Sequence, residues 1–87
     1  HYFTRQGLTV DSLTALDDRL RAFIAGIDYS AVQKNRLELL FLGSPPSAAQ
    51  LEELVRAALR DTAPGQAVLF SQQISKGILT VDITPDT

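Results

Sequence analysis

Side chains that can carry out nucleophilic or metal chemistry are scarce in this chain of 87 residues, which has one histidine and no cysteine. Nucleophilic catalysis needs a serine or cysteine with a base beside it, and the one histidine, His1, is the first residue of the sequence. The adjacent acids Asp17-Asp18 and Glu52-Glu53 fall in predicted helices, where neighbouring side chains point about 100° apart rather than toward one ion. We therefore predict no catalytic residue, no metal site and no cofactor, and we do not expect an enzyme.

Phosphate-binding loops and basic binding surfaces are also missing from the sequence. The five glycines are isolated turn or stop signals, and neither a GxGxxG nor a P-loop pattern occurs. Eight lysines and arginines are dispersed among ten acids, which gives a net charge of −2. Because nucleic-acid binders usually concentrate a basic excess on one face, we expect no nucleic-acid partner. Nothing in the pattern indicates a small-molecule substrate.

The first predicted element that could position a functional residue is an amphipathic helix. Apolar side chains recur at three- and four-residue steps from Leu13 to Ile27, and acids and arginines lie mainly on the other side. Thr9 or Asp11 can cap the start of this helix. The helix is predicted to run from Asp11 to just before Gly26, where it should end.

A second helix is predicted after the stop signal at residues 43–46, which contains two prolines. Ser47 and Gln50 have the spacing of a capping box, and apolar residues from Leu51 to Leu59 form a single stripe. This helix should run from Ala48 to Arg60.

Four strands are predicted around these helices, arranged as two hairpins. The first hairpin would pair residues 28–32 with 36–42 across a polar turn, and the second would pair 67–72 with 77–83. Residues 1–10 would form an extended lead or linker. The whole chain is thus predicted to be one α+β domain, ferredoxin-like in the order α-β-β-α-β-β. Its two helices would pack on one face of a four-stranded antiparallel sheet.

Such a sheet leaves its outer face uncovered in a monomer. Alternate residues of the strand at 36–42 would face the helices, so Leu40 and Leu42 would project from the open face. Exposed apolar patches commonly mark partner surfaces, although the amino-terminal segment could cover these leucines instead. We predict an interaction surface at Leu40 and Leu42, with Arg19 and Arg21 of the first helix as further contacts.

The start of the first helix, Asp11-Ser12-Leu13, resembles the attachment site of acyl carrier proteins. The serine of that family carries phosphopantetheine at the start of a helix, and Ser12 would be the modified residue here. Carriers are all-helical and have a long helix before this serine, whereas only eleven residues precede Ser12. A divergent carrier protein stays an alternative, and so does a small-ligand regulatory (ACT-like) domain.

Four short runs, each placed next to a predicted helix or strand, give the chain a wider pattern. They are GIDY at 26–29, NRLEL at 35–39, LEEL at 51–54 and GILTV at 77–81. With the first amphipathic helix, this pattern resembles the periplasmic ferredoxin-like domains of type II secretion and type IV pilus assembly platforms. The L component is nearest in pattern, and the M component and the pilus N and O components are similar in outline.

This resemblance implies a periplasmic domain of a single-pass inner-membrane protein, whose membrane anchor would lie outside the given sequence. It implies a homodimer, or a heterodimer with a sister component, that holds the inner-membrane platform together and couples a cytoplasmic ATPase to pseudopilus growth. These families have no catalytic motif. The resemblance therefore implies a non-enzymatic protein–protein interaction domain.

Overall fold

The computed structural model describes residues 2–30 and 34–85. Its elements follow the order βαβαββ: β1 (Tyr2–Val10), α1 (Leu13–Ala25), β2 (Lys34–Phe41), α2 (Ala48–Thr62), β3 (Val68–Ser75) and β4 (Ile78–Pro85). The α+β class and the two helices that we expected from the sequence are confirmed. Each helix lies within two residues of its predicted bounds.

Both helices begin at a serine cap. The side chain of Ser12, rather than Thr9 or Asp11, caps α1, because its Oγ accepts a hydrogen bond from the backbone N of Ala15 at 3.2 Å. The predicted capping box starts α2. Ser47 Oγ accepts from the backbone N of Gln50 at 3.2 Å, and Gln50 Oε1 accepts from the backbone N of Ser47 at 3.1 Å. These local bonds explain why the helix starts are readable in the sequence.

The four strands form one mixed sheet in the order β1-β2-β4-β3. β1 and β2 run parallel, whereas β4 is antiparallel to both β2 and β3. A parallel pair needs a long crossover, which α1 supplies, and an antiparallel pair can be joined by a tight turn. That turn is Lys76-Gly77, whose φ angles are 54° and 78°. Positive φ at both positions is the geometry of a type I′ turn, one of the two turn types favoured in two-residue hairpins.

The predicted amino-terminal hairpin and the fully antiparallel, ferredoxin-like sheet are wrong. Tyr29 and Ser30 lie in a turn, and residues 31–33 fall outside the described residues. Asp28 stabilises this turn, because its Oδ1 accepts a hydrogen bond from the backbone N of Ser30 at 3.0 Å. The fourth strand is instead β1, the segment expected to be an extended lead, and it pairs with β2 from Tyr2 to Val10.

One hydrophobic core lies between the helices and one face of the sheet. Burial alternates along β2 and β4, so every second side chain of these strands faces the core. The largest side chains that are fully buried come from both helices and from the sheet: Leu16, Leu20, Phe23, Ile24, Leu51, Val55, Val10, Leu37, Leu39, Leu79, Val81 and Ile83. In the described part of the chain, no helix covers the opposite face of the sheet.

Candidate interaction surface

The uncovered face of the sheet is formed by the alternate residues that do not enter the core, and we name it the open face. Its members in β2, β4 and β3 are Lys34, Arg36, Glu38 and Leu40; Ile78, Thr80, Asp82 and Thr84; and Leu69, Ser71, Gln73 and Ser75. The strand register places Arg36 opposite Asp82 and Leu40 opposite Ile78. Along β2 and β4 the open face therefore changes from charged at one end to apolar at the other, while Leu69 of β3, which is 61% exposed, lies beside the charged end.

Leu40 and Ile78 form the apolar end of the open face. They lie on adjacent strands, directly opposite each other, and each is 41% exposed. Leu42, the other leucine predicted for this surface, follows the end of β2 at Phe41 and is 73% exposed. The three aliphatic side chains thus lie at one end of the sheet.

Three charged side chains form the other end of the open face. Arg36 Nε donates to Asp82 Oδ1 at 2.9 Å, and Lys34 Nζ lies 3.2 Å from Asp82 Oδ2. Partial burial of this carboxyl acts to raise its pKa, but the hydrogen bonds from Arg36 and Lys34 outweigh that effect, so the pKa of Asp82 is lowered. Asp82 is held as a carboxylate by its neighbours and joins β4 to β2.

Arg21, predicted as a further contact, bonds within the chain. Its Nε donates to Asp17 Oδ1 at 3.1 Å, and its Nη1 donates to Asp61 Oδ2 at 2.6 Å. Because Asp61 belongs to α2, Arg21 links the two helices. Arg19 is half-buried on α1. Both arginines lie on a helix, so the structure does not bring them together with Leu40 on the open face.

A surface groove of about 540 Å³ lies between α2 and β3, and we name it the α2–β3 groove. Its apolar part includes Val55 and Leu59 from the helix and Val68 and Phe70 from the strand. Its charged residues all belong to α2: Glu52, Arg56 and Arg60. Arg56 Nε lies 3.4 Å from Glu52 Oε2, one helical turn away.

A second depression, of about 320 Å³, lies where β1 and β2 end and where both helices begin. Ser12, the residue of the carrier alternative, lines it together with Val10, Leu13 and Phe41. Ser12 is exposed and caps α1. The four strands of the described chain differ from the all-helical fold that the carrier resemblance implies.

The described residues offer neither a cluster of metal ligands nor a helix that could span a membrane. Within residues 2–30 and 34–85, no three His, Cys, Asp or Glu side chains are grouped so that they could hold a metal ion. None of the helices described here combines the length and the apolar character needed to cross a membrane.

Reasoning from the sequence missed three exposed aliphatic residues of the sheet: Ile78 and Leu69 of the open face, and Ile74 on the other face of β3. Ile78 alternates with the buried residues of β4, so the same two-residue period that identified Leu40 could have identified it. Ile74 is 47% exposed on β3. Its exposure depends on the position of β3 at an edge of the sheet, and no local sequence pattern indicates the order of the strands.

Comparisons of the chain with protein-family models, with curated proteins and with solved structures found no match.

Proposed function

We propose that this chain is a non-enzymatic protein–protein interaction domain that associates through the apolar end of its open face. The supporting observation is the pair of Leu40 and Ile78, which lie side by side and keep 41% of their surface exposed. Leu42 adds a third exposed aliphatic side chain nearby. A partner that removes these side chains from water would gain about 25 cal/mol for each Å² of apolar surface covered.

The remainder of the open face suits the periphery of such an interface. Interfaces commonly have an apolar centre surrounded by polar, solvent-accessible residues. Glu38 and Thr80 lie opposite each other next to the apolar end, and the pair of Arg36 and Asp82 follows them. These polar residues would favour one orientation of the partner. A partner displaced toward Arg36 and Asp82 would meet charged side chains that already pair with each other.

The setting that we propose is an assembly platform of type II secretion or of type IV pili, and this part of the proposal depends on the sequence pattern alone. There the domain would lie in the periplasm, with its membrane anchor outside the given sequence. It would bind a copy of itself or a sister component. No cofactor, nucleic acid or small-molecule substrate takes part in this function.

Sedimentation velocity over micromolar to millimolar concentrations tests the proposal, first on the chain alone and then mixed with the periplasmic domain of a sister component. We expect association in at least one of these experiments, and we expect Leu40→Asp and Ile78→Asp to weaken it at least tenfold. Leu13→Asp is the matched control, because Leu13 is 46% exposed but lies at the start of α1. Absence of association in both experiments, or an equal loss in the control, would contradict the proposal.

A further inference from the structure

The two edges of the sheet, β1 and β3, differ in their protection against pairing with another strand. The sequence of β1 includes Arg5 and Gly7, and its register with β2 shifts between Arg5 and Leu8. Natural proteins protect sheet edges with charged residues, irregular backbone and β-bulges. β1 therefore has the character of a protected edge.

β3 lacks these protective features. Its eight residues, VLFSQQIS, include no charged residue, no proline and no glycine. Its register with β4 continues without a shift from Val68 to Ser75. A regular, uncharged edge strand presents a row of backbone donors and acceptors with which another strand can pair.

The helix side of β3 carries apolar side chains that α2 covers only in part. Phe70 pairs with Ile83, and Ile74 pairs with Leu79; both partners are fully buried, so Phe70 and Ile74 point to the helix side. Phe70 is half-buried and Ile74 is 47% exposed. The α2–β3 groove reaches the start of the strand, at Val68 and Phe70. A strand added at the edge would place every second side chain on the helix side, and those beside Val68 and Phe70 would lie next to the groove.

We propose that β3 pairs antiparallel with β3 of a second copy of this chain, which joins two four-stranded sheets into one. This surface is separate from the apolar end of the open face, and the inference does not depend on the proposed function. β3 of the second copy is suited to pair with this edge, because it is extended and uncharged and has apolar residues at alternate positions. No like charges within the paired strands face each other across the two-fold axis.

The alternation of side chains limits the register of this pairing. Directly opposite residues of antiparallel strands point to the same face of the sheet. The two-fold axis must therefore pass between two copies of the same residue, and the residues nearest the middle of β3 are Ser71 and Gln72. An axis at Ser71 places Val68 opposite Ile74 of the second copy. An axis at Gln72 places Phe70 opposite Ile74 of the second copy. In either register, Ile74 gains an apolar neighbour.

Gln72 favours the second register. Its side chain lies on the helix side of β3, opposite Val81, and its Oε1 is buried without a hydrogen-bond partner among the described residues. An axis at this position places the two Gln72 side chains opposite each other. If each side chain turned toward the edge, its amide nitrogen could donate to the oxygen of the other, which would give the buried Oε1 the partner that it lacks within one chain. Because a single pair of edge strands is a small contact compared with a standard interface of roughly 800 Å² per partner, we expect a weak, reversible dimer.

Disulfide trapping tests the pairing directly, because the chain has no cysteine of its own. Single variants Gln72→Cys and Ser71→Cys would be oxidised under mild conditions, and covalent dimers would be followed on non-reducing gels. The control is Ser44→Cys, which places the thiol at an exposed position outside the sheet. We expect Gln72→Cys to form dimers at least tenfold faster than the control. Faster trapping through Ser71→Cys would support the other register, and control-like rates for both variants would overturn the pairing.

A second measurement separates this edge from the open face. In the Gln72→Cys chain, Ile74→Lys should slow disulfide trapping at least tenfold, while Leu40→Asp leaves the trapping rate unchanged; Ala22→Lys, on the exposed side of α1, is the control. Slower trapping through Leu40→Asp with no change through Ile74→Lys would assign the dimer to the open face and overturn the inference. A chain that stays monomeric at millimolar concentration would also overturn the inference, even if a strand of a different protein binds at this edge.

Discussion

Leu40 of β2 and Ile78 of β4 lie directly opposite each other on the open face, and each keeps 41% of its surface exposed. The preceding residue of β2, Leu39, and the following residue of β4, Leu79, are also directly opposite each other, and both are fully buried. A single step along each strand thus separates the hydrophobic core from the proposed interaction surface.

This relationship predicts very different effects for two adjacent leucines. We expect Leu39→Ala to lower the free energy of unfolding by about 2–5 kcal/mol, because it leaves a cavity in the core. Leu40→Ala should lower it by less than about 1 kcal/mol, because the side chain is already partly in water. Denaturant unfolding at low protein concentration measures both values. Similar losses from the two substitutions would contradict the strand register.

Asp82 should make stability depend on pH in the acidic range. Its pKa is lowered in the folded state, so its contribution is complete above the unfolded-state pKa, about 3.9, and is lost as pH falls through the folded-state pKa. We expect Asp82→Asn to lower the free energy of unfolding at neutral pH by about 1 kcal/mol. The difference between wild type and variant should shrink below about pH 4.

Denaturant titrations at a series of pH values measure this difference. Asp18→Asn is a suitable control, because Asp18 is an exposed acid of α1. A loss that stays constant down to the lowest pH at which the chain folds would show that charge pairing with Arg36 and Lys34 is not its cause.

Tyr29 should have the opposite pH dependence. Burial raises the pKa of its hydroxyl to about 12, and this oxygen has no hydrogen-bond partner among the described residues. The folded-state pKa lies above the unfolded-state value of about 10. The free energy of unfolding that depends on a neutral hydroxyl is therefore complete below pH 10 and is lost as pH rises toward 12.

Tyr29→Phe removes the unpartnered hydroxyl, so we expect the free energy of unfolding at neutral pH to stay the same or to rise by up to about 1 kcal/mol. As pH increases above about 10, the wild type should lose stability relative to Tyr29→Phe. Thermal or denaturant unfolding of both proteins at neutral and alkaline pH measures this change. A substantial loss on substitution at neutral pH would indicate a hydrogen bond that the hydroxyl makes and the structure does not show.

The capping box of α2 should contribute measurably to stability. Ser47→Ala removes the acceptor for the backbone N of Gln50, and the expected loss is about 1 kcal/mol in the free energy of unfolding. Ser44→Ala, three residues earlier and outside the helix, should have almost no effect. Equal effects of the two substitutions would show that the box does not stabilise the helix start.

The helices could be predicted from the sequence because their signals are local. The apolar stripe of α2, its capping box and the glycine that follows α1 each lie within a few neighbouring residues. Leu40 was predictable for a similar reason, since the side chains of a strand alternate with a period of two.

The strand order could not be predicted in this way. β1 pairs with β2 across the whole of α1, and Gly7 and the register shift obscure its alternation. Residues 28–30 contain β-prone Tyr29, but the hydrogen bond from Ser30 to Asp28 stabilises a turn there. The position of β3 at an edge, and therefore the exposure of Ile74, follows from this long-range order alone.

The position of β1 also determines where the chain can be divided. β1 covers one hydrogen-bonding edge of β2, and its last residue, Val10, is fully buried in the core. A recombinant boundary drawn at the first helix, where the amphipathic pattern starts, would cut through the sheet itself. It would turn β2 into an edge strand and leave a hole in the core. Truncations and fusion junctions that preserve the domain must therefore keep the chain intact from Tyr2 onward.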